Sequence, residues 1–124
     1  MGFQDDWILR QIDIVARFVA TLMFNKNEVH YEPGASDVLS DTDEVYYTIM
    51  RLLKEGRICE AEDELFDNIE FSDRYVELAT DFYTRLNSMS DSELEKCNFS
   101  RDEVYDGYID ILTQLGVPVE QFMR

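Results

Sequence analysis

The sequence has few of the residues that build metal sites, disulfide frameworks or sharp turns. Among its 124 residues are one histidine, two cysteines and two prolines. A small domain held together by disulfides carries more cysteines at closer spacing, so we expect Cys59 and Cys97 to be reduced and packed in helices. His30 lies beside Glu28 and Glu32 in a polar segment. Because zinc and di-metal helices need paired histidine motifs, we expect His30 to be an exposed loop residue.

Residues with reactive side chains also lack the neighbours that catalysis needs. A nucleophile requires an activating base, but Cys59 lies among acids that raise the pKa of a thiol, and Cys97 ends a short helix. The acids from Glu60 to Glu64 do not fit a calcium loop and indicate a solvated helix face. The sequence therefore predicts no catalytic residue, no cofactor and no metal site, and we expect a protein that is not an enzyme. Acid–base chemistry by carboxylates in a cleft stays open at this point.

Long apolar runs and a basic surface are missing as well. The most apolar segment is interrupted by Arg10, Asp13 and Arg17, which argues against a signal peptide and a membrane-spanning helix, and favours a cytoplasmic location. The formal net charge of −16 should repel nucleic acid and anionic membranes, so we expect neither as a partner. Residues 1–26 balance three carboxylates with three cations, so the whole excess lies in residues 27–124.

What the sequence does contain is a series of amphipathic helical patterns, with none of the alternation that a strand needs. The predicted helices are Asp6 to Phe24, Ser40 or Asp41 to Glu55, Arg57 to Ile69, Ser72 to Asn87, Ser90 to Lys96 and Ser100 to Leu115. Capping boxes at Ser90 and Ser100 open the last two helices. We predict a single all-α domain over residues 1–124, with five to six helices in antiparallel hairpins around the first helix. The expected architecture is TPR-like or an irregular helical bundle.

One predicted hairpin has a distinctive turn. Gly56 precedes Ala61 by five residues, and this spacing resembles the inter-helix turn of tetratricopeptide-type repeats, where a small alanine lets two helices approach closely. No second copy follows at that family's period of about 34 residues, and the tryptophan-leucine-glycine start of its repeat is absent. The resemblance covers this hairpin alone. It implies that the two helices of this hairpin pack as the helices of those repeats do, and it favours a protein-binding surface.

A wider resemblance covers most of the chain. The stretch from Gly2 to Ile12, the hairpin from Leu52 to Leu65 and the segment from Asn98 to Glu103 resemble a family of short, uncharacterised, acidic helical bacterial proteins, a domain of unknown function. The resemblance implies a bacterial origin and brings no known activity with it.

The first helix carries the main functional prediction. Its polar residues lie along one narrow side of the helix, and nearly all its other residues are apolar, including Ile14 and Leu22. One neighbouring helix cannot cover so wide an apolar face, so it is packed by several helices or contacts another molecule. The predicted partner-binding residues are Trp7, Ile8, Ile12, Phe18 and Phe24.

These observations favour a non-enzymatic protein-interaction or scaffold domain that uses an apolar helix face or groove rimmed by acidic residues. The expected partner is a protein with basic flanks or a second copy of the chain, which would give a homo-oligomer. The alternative is a small-ligand or metal-ion binding protein with acids and tyrosines in a pocket. We expect the tyrosines on the helices to cap the core with their hydroxyls in water. These are Tyr46, Tyr47, Tyr75, Tyr83, Tyr105 and Tyr108.

Overall fold

The computed structural model of the chain describes residues 3–34 and 40–121, and the side chains of residues 6–34 and 40–120. Within these residues it contains six α-helices, one short 3-10 helix and no β-strand, which confirms the predicted all-α class. The helices are α1 (Phe3–Phe24), α2 (Asp41–Lys54), α3 (Ile58–Asp67), α4 (Asp73–Asn87), α5 (Asp91–Lys96) and α6 (Arg101–Gln114), followed by the 3-10 helix Val119–Gln121.

Four of the described helices, α2, α4, α5 and α6, begin at serine caps, and left-handed glycines follow α2 and α6. Ser90 and Ser100 both form capping boxes with the glutamate three residues later, and Ser40 forms a third box at the start of α2. Gly56 and Gly116 have φ values of +76° and +82°, which allow the chain to turn away immediately after α2 and α6.

Two helix ends differ from the prediction by more than one residue. The first helix begins at Phe3, three residues before Asp6, because carboxylates are favourable within the first turn of a helix as well as at its cap. The third helix ends at Asp67 and not at Ile69. There the amide of Asn68 donates a 2.8 Å hydrogen bond to the carbonyl of Glu64, which satisfies a free carbonyl of the last turn.

The central helix is α4, which corrects the prediction that the other helices pack around α1. Two thirds of α4 is buried, and the helix contacts α1, α2 and α6. Its buried residues are Tyr75, Val76, Leu78, Ala79, Thr80, Asp81, Phe82, Tyr83, Leu86 and Asn87. Helix α1 packs on α4 and α6, while α2 and α3 pack closely together. A helix that is apolar on all sides is expected to be buried from several sides. Helix α4 is buried in this way although it has fewer apolar residues than α1. Its tyrosine, threonine and aspartate side chains can be buried because they find hydrogen-bond partners inside the protein.

The tyrosines of the core also correct a prediction. Tyr75, Tyr83 and Tyr108 are fully buried, so their hydroxyls are not in water. Tyr75 donates a 2.6 Å hydrogen bond to the carbonyl of Leu65, and the hydroxyl of Tyr108 lies 2.9 Å from that of Thr80. Buried polar groups need such partners. These bonds therefore tie α4 to α3 and α6.

Candidate functional site

Three large apolar side chains of α1 remain on the protein surface. Trp7, Ile14 and Leu22 are 55%, 53% and 53% exposed. They are separated by seven and eight residues, so they share one face of the helix at intervals of about 10 and 12 Å. We call Trp7, Ile14 and Leu22 the α1 stripe. Several large apolar side chains exposed on one face of a helix are typical of interaction surfaces.

The five predicted partner-binding residues divide between this surface and the core. Ile8 and Ile12 are buried at 7% and 0% exposure, where a partner has no access while the helices stay packed. Phe18 and Phe24 are half-buried, and Trp7 alone among the five is largely exposed.

Sequence reasoning did not select Ile14 and Leu22, although both were recognised as apolar. The missing information was direction. Because apolar residues occupy most sides of α1, the pattern does not show which side faces the core. The observed core side contains Ile8, Ile12, Val15 and Val19, and Trp7, Ile14 and Leu22 lie on another side of the helix.

Two arginines flank the α1 stripe. Arg10 and Arg17 are exposed and lie three residues after Trp7 and Ile14, which makes them surface neighbours of the stripe. Neither forms an ion pair within the part of the chain that the structure describes. The other arginines there all pair with a carboxylate, namely Arg51, Arg57, Arg74, Arg85 and Arg101. The rim of this surface is therefore cationic, although the chain as a whole is strongly acidic.

A cleft of about 560 Å³ lies between α1, the loop after it and α4. Its lining includes Asp13, Arg17 and His30, together with Asp81 and Arg85 of α4. Asp81 is buried and accepts a 2.7 Å hydrogen bond from the backbone N–H of Tyr31, and it also pairs with Arg85. Carboxylates and cations alternate around the cleft, so it suits a polar ligand better than an apolar one.

His30 occupies the exposed loop position that the sequence predicts. Its Nε2 lies 3.0 Å from an oxygen of Glu28, and both side chains are mainly in solvent. Among the described residues, no group of three or more histidine, cysteine, aspartate or glutamate side chains is arranged to hold a metal ion.

The expectation that both cysteines are packed is wrong for Cys59, which is exposed on α3. Cys59 and Cys97 are free. Partial desolvation, followed by the nearby carboxylates of Glu103 and Glu62, raises the pKa of Cys59, as the sequence predicts. Cys97 is half-buried beside Gly56, at the end of α5.

The acidic face of α3 is less uniform than the sequence suggests. Glu60 is exposed and pairs with Arg57, whereas Glu62 is half-buried and accepts a 2.5 Å hydrogen bond from Tyr83. Desolvation raises the pKa of Glu62, and the carboxylates of Glu103, Asp63 and Asp110 add to the shift. Glu62 also lines a surface depression with Glu103 and Asp110.

No helix within residues 3–34 and 40–121 is long and apolar enough to cross a membrane. Comparisons with curated proteins and with solved structures found no match to the chain. The sequence model of DUF6483, a family of unknown function, matches residues 2–116. The match covers nearly the whole chain, and the protein therefore belongs to this family.

Proposed function

We propose that this chain is a non-enzymatic protein-interaction domain, and that its α1 stripe docks the apolar face of a helix from a partner protein. The observation that carries the proposal is the exposure of Trp7, Ile14 and Leu22 along α1, next to the side of the helix that is buried. A narrow row with one large side chain every two turns is complementary to the apolar positions of another amphipathic helix.

The chemistry of the remaining side chains supports a role without catalysis. The pKa of the Cys59 thiol is raised and not lowered, which is unfavourable for a nucleophile at neutral pH. The carboxylates of Asp43 and Asp81 are buried, but arginine and tyrosine groups of the same chain hold them. The cytoplasmic location expected from the sequence belongs to the same proposal.

The experiment uses Trp7, the single tryptophan of the chain, as a reporter on the stripe itself. The probe is a synthetic 22-residue helical peptide with leucines at the spacing of the α1 stripe and glutamines at its other surface positions. We expect its addition to shift the emission of Trp7 to shorter wavelength, because the indole leaves water on binding.

Two variants show whether the stripe is responsible. Ile14→Glu places a charge at the middle of the stripe and should weaken peptide binding at least about tenfold, because a buried charge without a partner is costly. Phe71→Glu is the matched control, since Phe71 is 81% exposed but lies between α3 and α4. An unchanged Trp7 emission up to millimolar peptide, or equal losses in the two variants, would contradict the proposal.

The cleft beside α1 supports a second candidate function, the binding of a small polar ligand. Its volume of about 560 Å³ is in the range of ligand pockets, and its lining offers the guanidinium of Arg17 and the carboxylate of Glu28 to a zwitterion such as an amino acid. A melting-temperature screen of amino acids tests this. A rise in Tm that both Arg17→Gln and Glu28→Gln abolish supports the cleft, and an unchanged Tm across the screen rejects it.

A further inference from the structure

We infer that the partner helix carries carboxylates beside its apolar positions, one for Arg10 and one for Arg17, spaced about 10 Å apart along its axis. The inference rests on the proposed function, because it specifies the chemistry of the helix that the α1 stripe docks. It replaces the partner with basic flanks that the overall acidity of the sequence favoured.

The first observation behind this inference is which arginines form ion pairs within the chain and which do not. A chain with 27 acidic and 11 basic side chains offers a carboxylate to almost any arginine. Arg74, Arg85 and Arg101 are each held by an aspartate of the same chain. Within the described residues, Arg10 and Arg17 have no such partner, although both flank the exposed α1 stripe. An acidic helix lying on the stripe would supply the missing carboxylates at contact distance.

The local aspartates of α1 do not satisfy these arginines. Asp6 and Asp13 lie four residues before Arg10 and Arg17, on the side of each arginine that faces away from the α1 stripe. Asp13 instead accepts a 3.1 Å hydrogen bond from the amide of Asn87. The two guanidinium groups are therefore the charges next to the apolar row, although the three aspartates of α1 outnumber its two arginines by one.

A second copy of the chain fits this surface poorly. The stripe of a second α1 is flanked by the same two arginines and carries no carboxylate next to its apolar residues. Pairing of two α1 helices would thus place arginines, and no carboxylates, directly beside both apolar rows. A different chain with an acidic flank supplies what a second copy lacks.

The net charge of −16 does not prevent binding of an acidic partner at physiological ionic strength. Charges separated by more than a Debye length of about 8 Å are largely screened there, whereas ion pairs at the contact are screened much less. The local cations of α1 therefore decide which helix remains bound, and the distant carboxylates mainly slow its approach.

The test compares three versions of the 22-residue peptide with identical leucines. The positions three residues after each leucine are all glutamate, all glutamine or all lysine. The dissociation constants are measured from Trp7 emission at 0.15 M salt with the wild-type chain, the double variant Arg10→Gln/Arg17→Gln and the control Arg51→Gln. Arg51 is an exposed arginine of α2, away from α1.

We expect the wild-type chain and Arg51→Gln to bind the acidic peptide about tenfold more tightly than the basic one, since two exposed ion pairs together change affinity by roughly this factor. In the double variant the preference should shrink to about twofold or less. If all three peptides bind the wild-type chain equally, or if the basic peptide binds best, the inference is wrong while the proposed function stands. If no peptide shifts the emission of Trp7, the proposed function itself fails.

Sedimentation of the wild-type chain over a range of concentrations tests directly whether a second copy of the chain binds the α1 stripe. We expect no self-association that depends on the α1 stripe. A dimer that Ile14→Glu abolishes and Phe71→Glu preserves would identify the occupant as a second copy and overturn the inference.

Discussion

The hydroxyl of Tyr83 donates a 2.5 Å hydrogen bond to Oε2 of Glu62, and both groups occupy the space that a β-carbon at position 107 would need, where the chain has Gly107. The contact joins α3, α4 and α6 at one point. It places a carboxylate where it is partly removed from water and close to the acids of α6. Such a carboxylate is destabilising when ionised, and only part of this effect is offset by the tyrosine.

The variant Glu62→Gln should therefore be more stable than the wild-type chain at neutral pH. The folded protein raises the pKa of Glu62, so the folded state binds its proton more tightly than the unfolded state does. This contribution lowers stability as pH rises through the raised pKa, and it disappears below the ordinary pKa of glutamate, where both states are protonated. Urea unfolding at several pH values should show a gain for Glu62→Gln at pH 7 that fades in acid.

The exposed Glu95 of α5 provides the control for this charge removal. Glu95→Gln should change the free energy of unfolding by no more than about 0.5 kcal/mol at any of these pH values. A loss of stability in Glu62→Gln at pH 7 would mean that the charged hydrogen bond from Tyr83 outweighs desolvation.

The variant Gly107→Ala should be less stable, although alanine is the better helix former. Glycine in a helix interior costs about 1 kcal/mol relative to alanine. At position 107, however, a methyl group would collide with the carboxylate of Glu62 and the hydroxyl of Tyr83. Overpacking a buried site costs about 1–3 kcal/mol, and the ring of Tyr83 is fully buried. We expect a net loss of about 1 kcal/mol in urea unfolding.

A double-mutant cycle identifies the cause of that loss. In the Gly107→Ala background, Tyr83→Phe should cost less stability than it does in the wild-type chain, because it removes the oxygen that the new methyl group meets. Thr113→Ala, at an exposed position of α6, serves as the propensity control. A more stable Gly107→Ala would show that Glu62 and Tyr83 adjust at little cost.

The sequence allowed the helices to be predicted because their ends depend on local chemistry. Ser90 and Ser100 mark helix starts through bonds to residues three positions away, and Gly56 marks a helix end through its own backbone conformation. Neither requires knowledge of how helices pack. The same local character explains why the exposure of His30 was predicted correctly. The raised pKa of Cys59 was predicted from neighbouring acids, whereas its largest cause is desolvation, which depends on packing.

The site and the buried polar groups depend on tertiary packing, and the sequence did not reveal them. Tyr83 and Glu62 are 21 residues apart, and Tyr31 and Asp81 are 50 apart, so no local pattern pairs them. Ile14 was recognised as apolar, but only the positions of α4 and α6 against α1 show that its side chain stays exposed.

The buried carboxylate of Asp43 should have the opposite pH dependence to that of Glu62. The hydrogen bond from Tyr31, at 2.5 Å, is the main cause that lowers the pKa of Asp43, and the N–H of Gly34 and the guanidinium of Arg74 contribute. A lowered folded pKa stabilises the protein above the ordinary pKa of aspartate, and this stabilisation is lost as pH falls through the folded pKa. At pH 7, Asp43→Asn should cost about 2–3 kcal/mol, the range for a hydrogen bond to a charged group.

The cost of Asp43→Asn should decrease in acid, because the wild-type carboxyl group becomes protonated there as well. Asp41→Asn is the control, since Asp41 is an exposed residue of the same helix start. Its effect should stay near 0.5 kcal/mol, the size of an exposed interaction with a helix dipole. An Asp43→Asn loss that is the same at pH 7 and in acid would show that its charge does not stabilise the fold.

Replacing Arg101 by lysine should destabilise the fold, because the guanidinium of Arg101 is almost fully buried and its two terminal nitrogens have different partners. Nη1 donates a 2.9 Å hydrogen bond to the carbonyl of Asn87, while Nη2 donates to the carbonyl of Met89 and, at 2.6 Å, to Asp91. These bonds hold the start of α6 against the end of α4 and the start of α5. Lysine has one ammonium group and no fork, so it cannot reach both sets of acceptors.

We expect Arg101→Lys to lower the free energy of unfolding by about 2–3 kcal/mol, since at least one buried acceptor loses a charged donor. Arg51→Lys removes the same chemical group from an exposed ion pair with Glu55, and should cost less than about 0.5 kcal/mol. Urea unfolding of the two variants shows whether the loss of stability is specific to the buried hydrogen bonds of Arg101 or follows from any exchange of arginine for lysine. Equal and small effects would mean that the charge of Arg101 is sufficient and that its planar fork is not needed.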